Sequence, residues 1–344
     1  MSRRDHACAR RSPKEAVAFC GDLYQNSRNA TCAGQDPRES ADEVYALQVP
    51  LIGADPQISV IRQELGWDMN DNGVQTCFML SRCRTGSTSL LKAITQNSRA
   101  SAYAEIFNPT KSYSYQSYLF DWLSAAAERK TSFLEGGPLC VFDEYMEELR
   151  SKEKALKPEL RLFVFECKLE NSYVFSDNWT HPTMNFSTSA IIRRSLAISQ
   201  SAILLRRKNV LERFFSDVTA RLTGIFHSDE GTQSKRVTKI KVHVADIVRN
   251  MKEEIEIDDS ISSYMKSNIL LFSELYYEDI YAIDGFNSEF VTDFKYIGNG
   301  INLDAPTLRK VRTLGGRDLV ENFDELCRAF AQEPELAWMV SGEC

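Results

Sequence analysis

Short apolar runs that break abruptly into polar residues set the rhythm of this chain. Cys77-Phe78-Met79-Leu80 gives way to Ser81-Arg82-Cys83-Arg84-Thr85-Gly86-Ser87-Thr88. Phe163-Val164-Phe165 lies within RLFVFECKL, residues 201–205 (SAILL) end on Arg206-Arg207, and Leu270-Leu271-Phe272 leads into 274–279. Runs this short, without polar alternation, predict strands buried on both faces. Helical spacing occupies the intervals, over 88–97, 117–130, 209–222, 244–254 and 318–331. In the last, Leu319, Val320, Phe323, Leu326 and Phe330 recur three to four apart, so one face is buried. Strands alternating with helices predict an α/β fold, a P-loop-like three-layer α/β/α architecture with a mainly parallel central sheet.

Residues 1–70 follow a different pattern. Polar, Arg- and Asn-containing stretches surround Cys8, Cys20 and Cys32, with Pro37, Pro50 and Pro56 between them. They read as a partly irregular N-terminal extension, followed by one domain over 71–344. Composition narrows the function classes. A net charge of −7 argues against a general nucleic-acid binder and leaves room for a local basic pocket. No window offers the roughly 18 apolar residues of a spanning helix, and the N-terminus is charged without an apolar signal core, so a cytoplasmic protein is expected. With nine cysteines, at least one is left outside any intramolecular disulfide. Cys77, Cys140 and Cys167 sit in or beside apolar runs as small core residues, and Cys83 is the thiol with candidate reactivity. No metal-ligand spacing is evident among cysteines and histidines.

The chemistry concentrates where the first apolar run ends. A buried strand that delivers a Gly- and hydroxyl-rich turn onto a helix N-terminus forms an anion cradle of backbone N–H groups, helix dipole and hydroxyl donors. Arg84 adds a guanidinium fork suited to phosphate or sulfate oxygens. The loop is not a Walker A motif, because Gly86 is followed by Ser87 and Arg84 precedes the glycine. A dinucleotide fingerprint is absent as well, since the turn holds a single glycine.

Cys83-Arg84-Thr85-Gly86-Ser87-Thr88-Ser89-Leu90 resembles the 5′-phosphosulfate loop of sulfotransferases that use 3′-phosphoadenosine 5′-phosphosulfate, with Cys83 in place of the usual Pro. A second element matches downstream. Ile203-Leu204-Leu205 runs into Arg206-Arg207-Lys208-Asn209, and Ser216 follows Asn209 by seven residues. Three further segments lie in the family's order: 104–109 (AEIFNP), 163–169 with Lys168, and 317–326 (RDLVENFDEL). The resemblance spans roughly 75–330 and is greatest to bacterial carbohydrate sulfotransferases of the nodulation-factor and trehalose type.

This resemblance implies a transferase that moves a sulfonate from the nucleotide donor to a hydroxyl of a carbohydrate or small-molecule acceptor, in line and without a metal. Arg84, Thr85, Gly86, Ser87, Thr88 and Ser89 would hold the 5′-phosphosulfate. Ser216, with Arg207 or Lys208, would hold the 3′-phosphate. Arg207 is preferred for its bidentate fork. Glu105 would be the base and Arg84 would neutralise charge on the leaving side, with His181 and His227 as alternative bases. Lys168 is either a structural partner or a phosphate ligand. Tyr113, Tyr115, Tyr118, Phe120 and Trp122 either line an acceptor pocket or pack the core. Two other readings stay open: a P-loop kinase or nucleotide hydrolase, and a non-catalytic binding protein on the same fold. Acceptor identity and oligomeric state are not legible.

Overall fold

Five parallel strands carry the fold in the computed structural model, which describes residues 58, 73–108, 111–115, 117–118, 121, 137–169, 188–223, 239–282, 285–303, 315–340 and 344. β1 (Gln75–Ser81), β2 (Ala100–Tyr103), β3 (Leu162–Lys168), β4 (Ser201–Arg206) and β5 (Leu271–Tyr276) lie in the order β2-β3-β1-β4-β5, which is compatible with P-loop-like folds. The helices are α1 (Ser87–Gln96), α2 (Gly137–Leu156), α3 (Thr188–Ala197), α4 (Val210–Thr223), α5 (Val244–Asn268), α6 (Tyr277–Ile280), α7 (Ser288–Ile297), α8 (Gly316–Leu319) and α9 (Phe323–Ala331).

Strand alternation explains why the runs are wholly apolar. Phe78, Leu80, Phe163, Phe165, Ala202 and Leu204 point to one face of the sheet, packing with Phe142 and Tyr145 of α2, Leu196 of α3 and Tyr264 of α5. Cys77, Met79, Leu162, Val164, Ile203 and Leu205 point to the other, against Leu90 and Ile94 of α1 and Phe290 and Phe294 of α7. Both faces are thus covered, as parallel sheets require. A third core joins α4, α5, α8 and α9 through Phe215, Met251, Leu319, Phe323 and Phe330. Cys77 and Cys167 are buried in the sheet as expected.

The central strands end level with one another. Ser81 pairs with Lys168 of β3 and Leu205 of β4, and Arg206 pairs with Tyr276 of β5. In sheets of this kind ligands sit beyond the carboxyl ends of the strands. Ser81, Lys168, Arg206 and Tyr276 mark that edge.

Several predicted boundaries shift. The helix expected over 244–254 continues to Asn268. That expected over 318–331 is broken: Val320 is extended and bridges to Ile240, while Asn322 Nδ2 donates to Val242 C=O at 2.9 Å and Asn322 Oδ1 accepts the Val242 N–H at 3.0 Å. An asparagine that satisfies a neighbouring backbone in this way competes with helix formation. Of the helix expected over 117–130 only 117–118 and 121 are described, and they are helical; Phe120, Trp122, His181, His227 and residues 1–57 and 59–72 lie outside the described residues. A disulfide joins Cys327 on α9 to Cys344, with Cα atoms 5.9 Å apart. No helix among the described residues is long and apolar enough to cross a membrane.

Candidate anion site at the carboxyl edge of the sheet

The loop from Ser81 to Ser87 is shaped by its backbone. Arg84 takes φ +66° and Gly86 φ +81°, the second as the residue that starts α1. Glycine is required at 86 on two grounds. Its φ is left-handed, and a Cβ there would stand 2.7 Å from Tyr277 Cδ2 and 3.0 Å from Tyr281 Cε2. The Tyr281 hydroxyl fixes the same residue by donating to Gly86 C=O at 2.7 Å. Thr85 is buried and braces the turn, its Oγ1 donating to Arg82 C=O at 2.8 Å. Gly86 supplies no side-chain cap to α1, so no cap hydroxyl or amide occupies its first-turn N–H groups. Ser89 N–H closes back on Gly86 C=O at 3.1 Å.

Beneath the loop lies a buried polar cluster. Lys168 Nζ lies 2.8 Å from Glu166 Oε1, and donates to Ser81 Oγ at 2.8 Å, to Arg82 C=O at 3.1 Å and to Ser87 Oγ. Three ammonium protons facing four acceptors inside the fold make Lys168 a structural partner of the loop. The Ser87 hydroxyl is turned inward as well, toward Lys168. Burial pushes the Glu166 carboxyl up, but Lys168, Ser81 and Ser87 outweigh it and hold it below the ordinary range. Lys168 is displaced the other way: burial lowers it, Glu166 more than compensates, and the ammonium is held above its usual range.

Glu105 reaches the same cluster through its backbone. It follows β2 with φ +52°, and its N–H donates to Glu166 Oε2 at 3.2 Å, while the Ile106 N–H donates to Glu166 C=O at 3.1 Å. The Glu105 carboxylate accepts from Asn108 Nδ2 at 2.6 Å. Positive φ at two non-glycine residues, Arg84 and Glu105, concentrates backbone strain at this edge of the sheet.

The second predicted element meets the first directly. Arg84 Nε donates to Ser216 Oγ at 3.1 Å across 132 residues of chain, and Ser216, on α4, is itself buried. Burial lowers the Arg84 guanidinium from the usual arginine range; Asp217 opposes this and neighbouring Arg207 adds to it. Arg207 is buried, pairs with Glu212 at 2.7 Å and approaches Glu278 at 3.5 Å, and its guanidinium lies 4.8 Å from the Tyr277 ring centroid. Lys208 instead is exposed and pairs with Asp279 at 2.5 Å. Asn209 caps α4, its Oδ1 accepting the Glu212 N–H at 3.0 Å, and ties that helix to the chain's end by donating from Nδ2 to Met339 C=O.

An ionic lattice on α5 holds both elements in place. Arg82 donates to Asp258 at 2.8 Å, Arg213 to Glu254 at 2.7 Å, and Arg206 pairs with Asp259 at 2.8 Å and Glu274 at 2.6 Å. Burial raises Glu254, but Arg213 and Arg82 bring it below the ordinary glutamate range. Burial keeps Asp258 above the aspartate range despite Arg82, helped by Glu254 one turn away.

Of the aromatic run, Tyr115 is fully buried against Phe107 and Phe142 and belongs to the core, while Tyr113 donates to Ala104 C=O beside Glu105. Glu166, Tyr277 and Tyr281 were not foreseen as site residues. The signal for Glu166 was present, a charge inside a strand otherwise apolar from Leu162 to Cys167. Comparison with protein-family models, curated proteins and solved structures finds no match to this chain.

Proposed function

We propose that this protein is a sulfotransferase that takes a sulfonate from 3′-phosphoadenosine 5′-phosphosulfate and places it on a hydroxyl of a carbohydrate or small-molecule acceptor. The observation that carries the reading is the Arg84–Ser216 hydrogen bond, because it joins the two motifs on which the sequence resemblance rests. Arg207 stands close enough to Arg84 to disfavour that guanidinium's charge, beside a buried hydroxyl and an uncapped helix start. Such a set favours a multiply charged anion.

In this reading Arg84 and the Ser87 and Thr88 amides receive the 5′-phosphosulfate, Arg207 and Ser216 the 3′-phosphate, and Arg84, hydrogen-bonded to Ser216, borders both. Glu105 accepts the proton of the acceptor hydroxyl as its oxygen bonds to sulfur. The bond from sulfur to the bridging oxygen breaks, and adenosine 3′,5′-bisphosphate leaves with that electron pair. Isothermal titration of the folded protein with adenosine 3′,5′-bisphosphate tests the donor assignment. A saturable heat that magnesium does not enhance supports it, and no heat at high micromolar ligand overturns it.

A further inference from the structure

Between the two motifs stands a side chain that neither contains. Tyr277 opens α6 directly after β5, and one edge of its ring lies against Gly86, so close that a Cβ there would meet Cδ2 at 2.7 Å and Cε2 at 2.9 Å. The Arg207 guanidinium lies over the ring, 4.8 Å from its centroid. Tyr277 also stands within electrostatic reach of Arg84. Tyr281, one helical turn later, packs against it at a tilt with ring centroids 4.9 Å apart and anchors the Gly86 carbonyl. One ring therefore contacts the glycine that starts α1 and the cation that precedes α4.

We infer that Tyr277 is a positioning residue that gives the site its selectivity for a second phosphate. Arg207 is long and rotamer-rich, and Glu212 on α4 and Glu278 on α6 both attract it. A ring against its flat face fixes the plane of the guanidinium, so that the donors not taken by Glu212 can meet an anion shared with Arg84 and Ser216. The same ring needs glycine at 86, so loop shape and Arg207 placement are set together. A desolvated cation–π contact is strong enough to decide where a guanidinium rests. Selectivity for two phosphates over one then depends on a side chain that touches neither phosphate.

This inference rests on the nucleotide-donor reading, and the test separates the two. Adenosine 3′,5′-bisphosphate and adenosine 5′-monophosphate are titrated into wild type, Tyr277→Phe, Tyr277→Leu and Arg207→Lys. Wild type and Tyr277→Phe should prefer the bisphosphate. Tyr277→Leu should lose about tenfold in that preference, the scale of one such contact, with monophosphate affinity nearly unchanged. Arg207→Lys, which keeps the charge but not the flat stacking surface, should lose a similar factor, and the double variant little more. Should Tyr277→Leu not fold, Tyr277→Met, which also lacks the ring, and its coupling to Arg207→Lys carry the same test. A wild-type preference that survives intact in Tyr277→Leu, or in Arg207→Lys, overturns the role of the ring and leaves the donor reading standing. A wild type without preference overturns both.

Discussion

Lys168 and Glu166 face each other at 2.8 Å on one face of β3, two residues apart and both sealed from solvent. Removing one member of such a pair strands a charge in the interior, at a typical cost of about 3–5 kcal/mol. Glu166→Gln should therefore lower the urea midpoint sharply. The charge-neutral double variant Glu166→Gln/Lys168→Met should recover most of that loss. Equal midpoints for the single and double variants would show that packing, not charge balance, governs this cluster.

The same cluster sets the pH response of stability. Glu166 and Glu254 are held below the ordinary glutamate value of 4.5, so the fold binds fewer protons there than the unfolded chain. Their contribution is complete above that pH and is lost as pH falls through the lower folded values. Asp258, held above the aspartate range, acts in the opposite sense and softens the fall. On the alkaline side, Lys168 is held above 10.5, so its contribution persists to that pH and disappears only beyond it. Urea unfolding as a function of pH should show a steep acid limb below pH 4.5 in wild type and a shallower one in the Glu166→Gln/Lys168→Met variant.

Arg84→Ala and Ser216→Ala should not weaken the donor product equally. Arg84 contributes charge and hydrogen bonds, and its loss should cost about 2–3 kcal/mol, near a hundredfold in affinity. Ser216 contributes a hydroxyl, and its loss should cost about 1 kcal/mol, roughly fivefold. Because the two side chains touch, the double variant should lose less than the product of the single losses. Titration calorimetry of all three checks this.

Glu105→Gln separates binding from chemistry. The hydrogen bond to Glu166 comes from the Glu105 backbone and survives the substitution. Affinity for adenosine 3′,5′-bisphosphate should stay within about threefold, while sulfonate transfer from labelled donor should fall by about 10²–10⁴, the usual worth of a general base. Parallel losses in both would assign the carboxylate to ligand binding.

The sheet and its central loop were legible because burial on both faces leaves an unmistakable apolar run, as at Cys77–Leu80 and Ser201–Leu205. β2 escaped notice because an edge strand of four residues, Ala100–Tyr103, needs no such run. α2 and α7 were missed for another reason. Their sequences mix charge with scattered apolar residues, and the sheet faces that Phe142 and Phe294 cover are built from residues far away in the chain. At the site, residues were visible when a motif carried them and invisible when contact did. Arg84 and Ser216 belong to spaced patterns, whereas Tyr277 matters only because β5 ends beside β4. The choice between Arg207 and Lys208 needed burial, which adjacent basic residues in a sequence do not disclose.

Ser81, Lys168 and Arg206 sit at strand ends joined by one continuous hydrogen-bond ladder, with Tyr276 beside them on β5. A site mounted on loops can open locally while the core stays closed. Here the loop is held from below by buried strand ends of the central sheet, Ser81, Lys168 and Leu205, so its support and the sheet are expected to open as one cooperative unit. Amide exchange at Ser81, Lys168 and Leu205 should then proceed only through global opening, with the free energy of unfolding itself. The capacity to hold an anion would disappear with the fold in a single transition, leaving no intermediate that is folded but empty-handed.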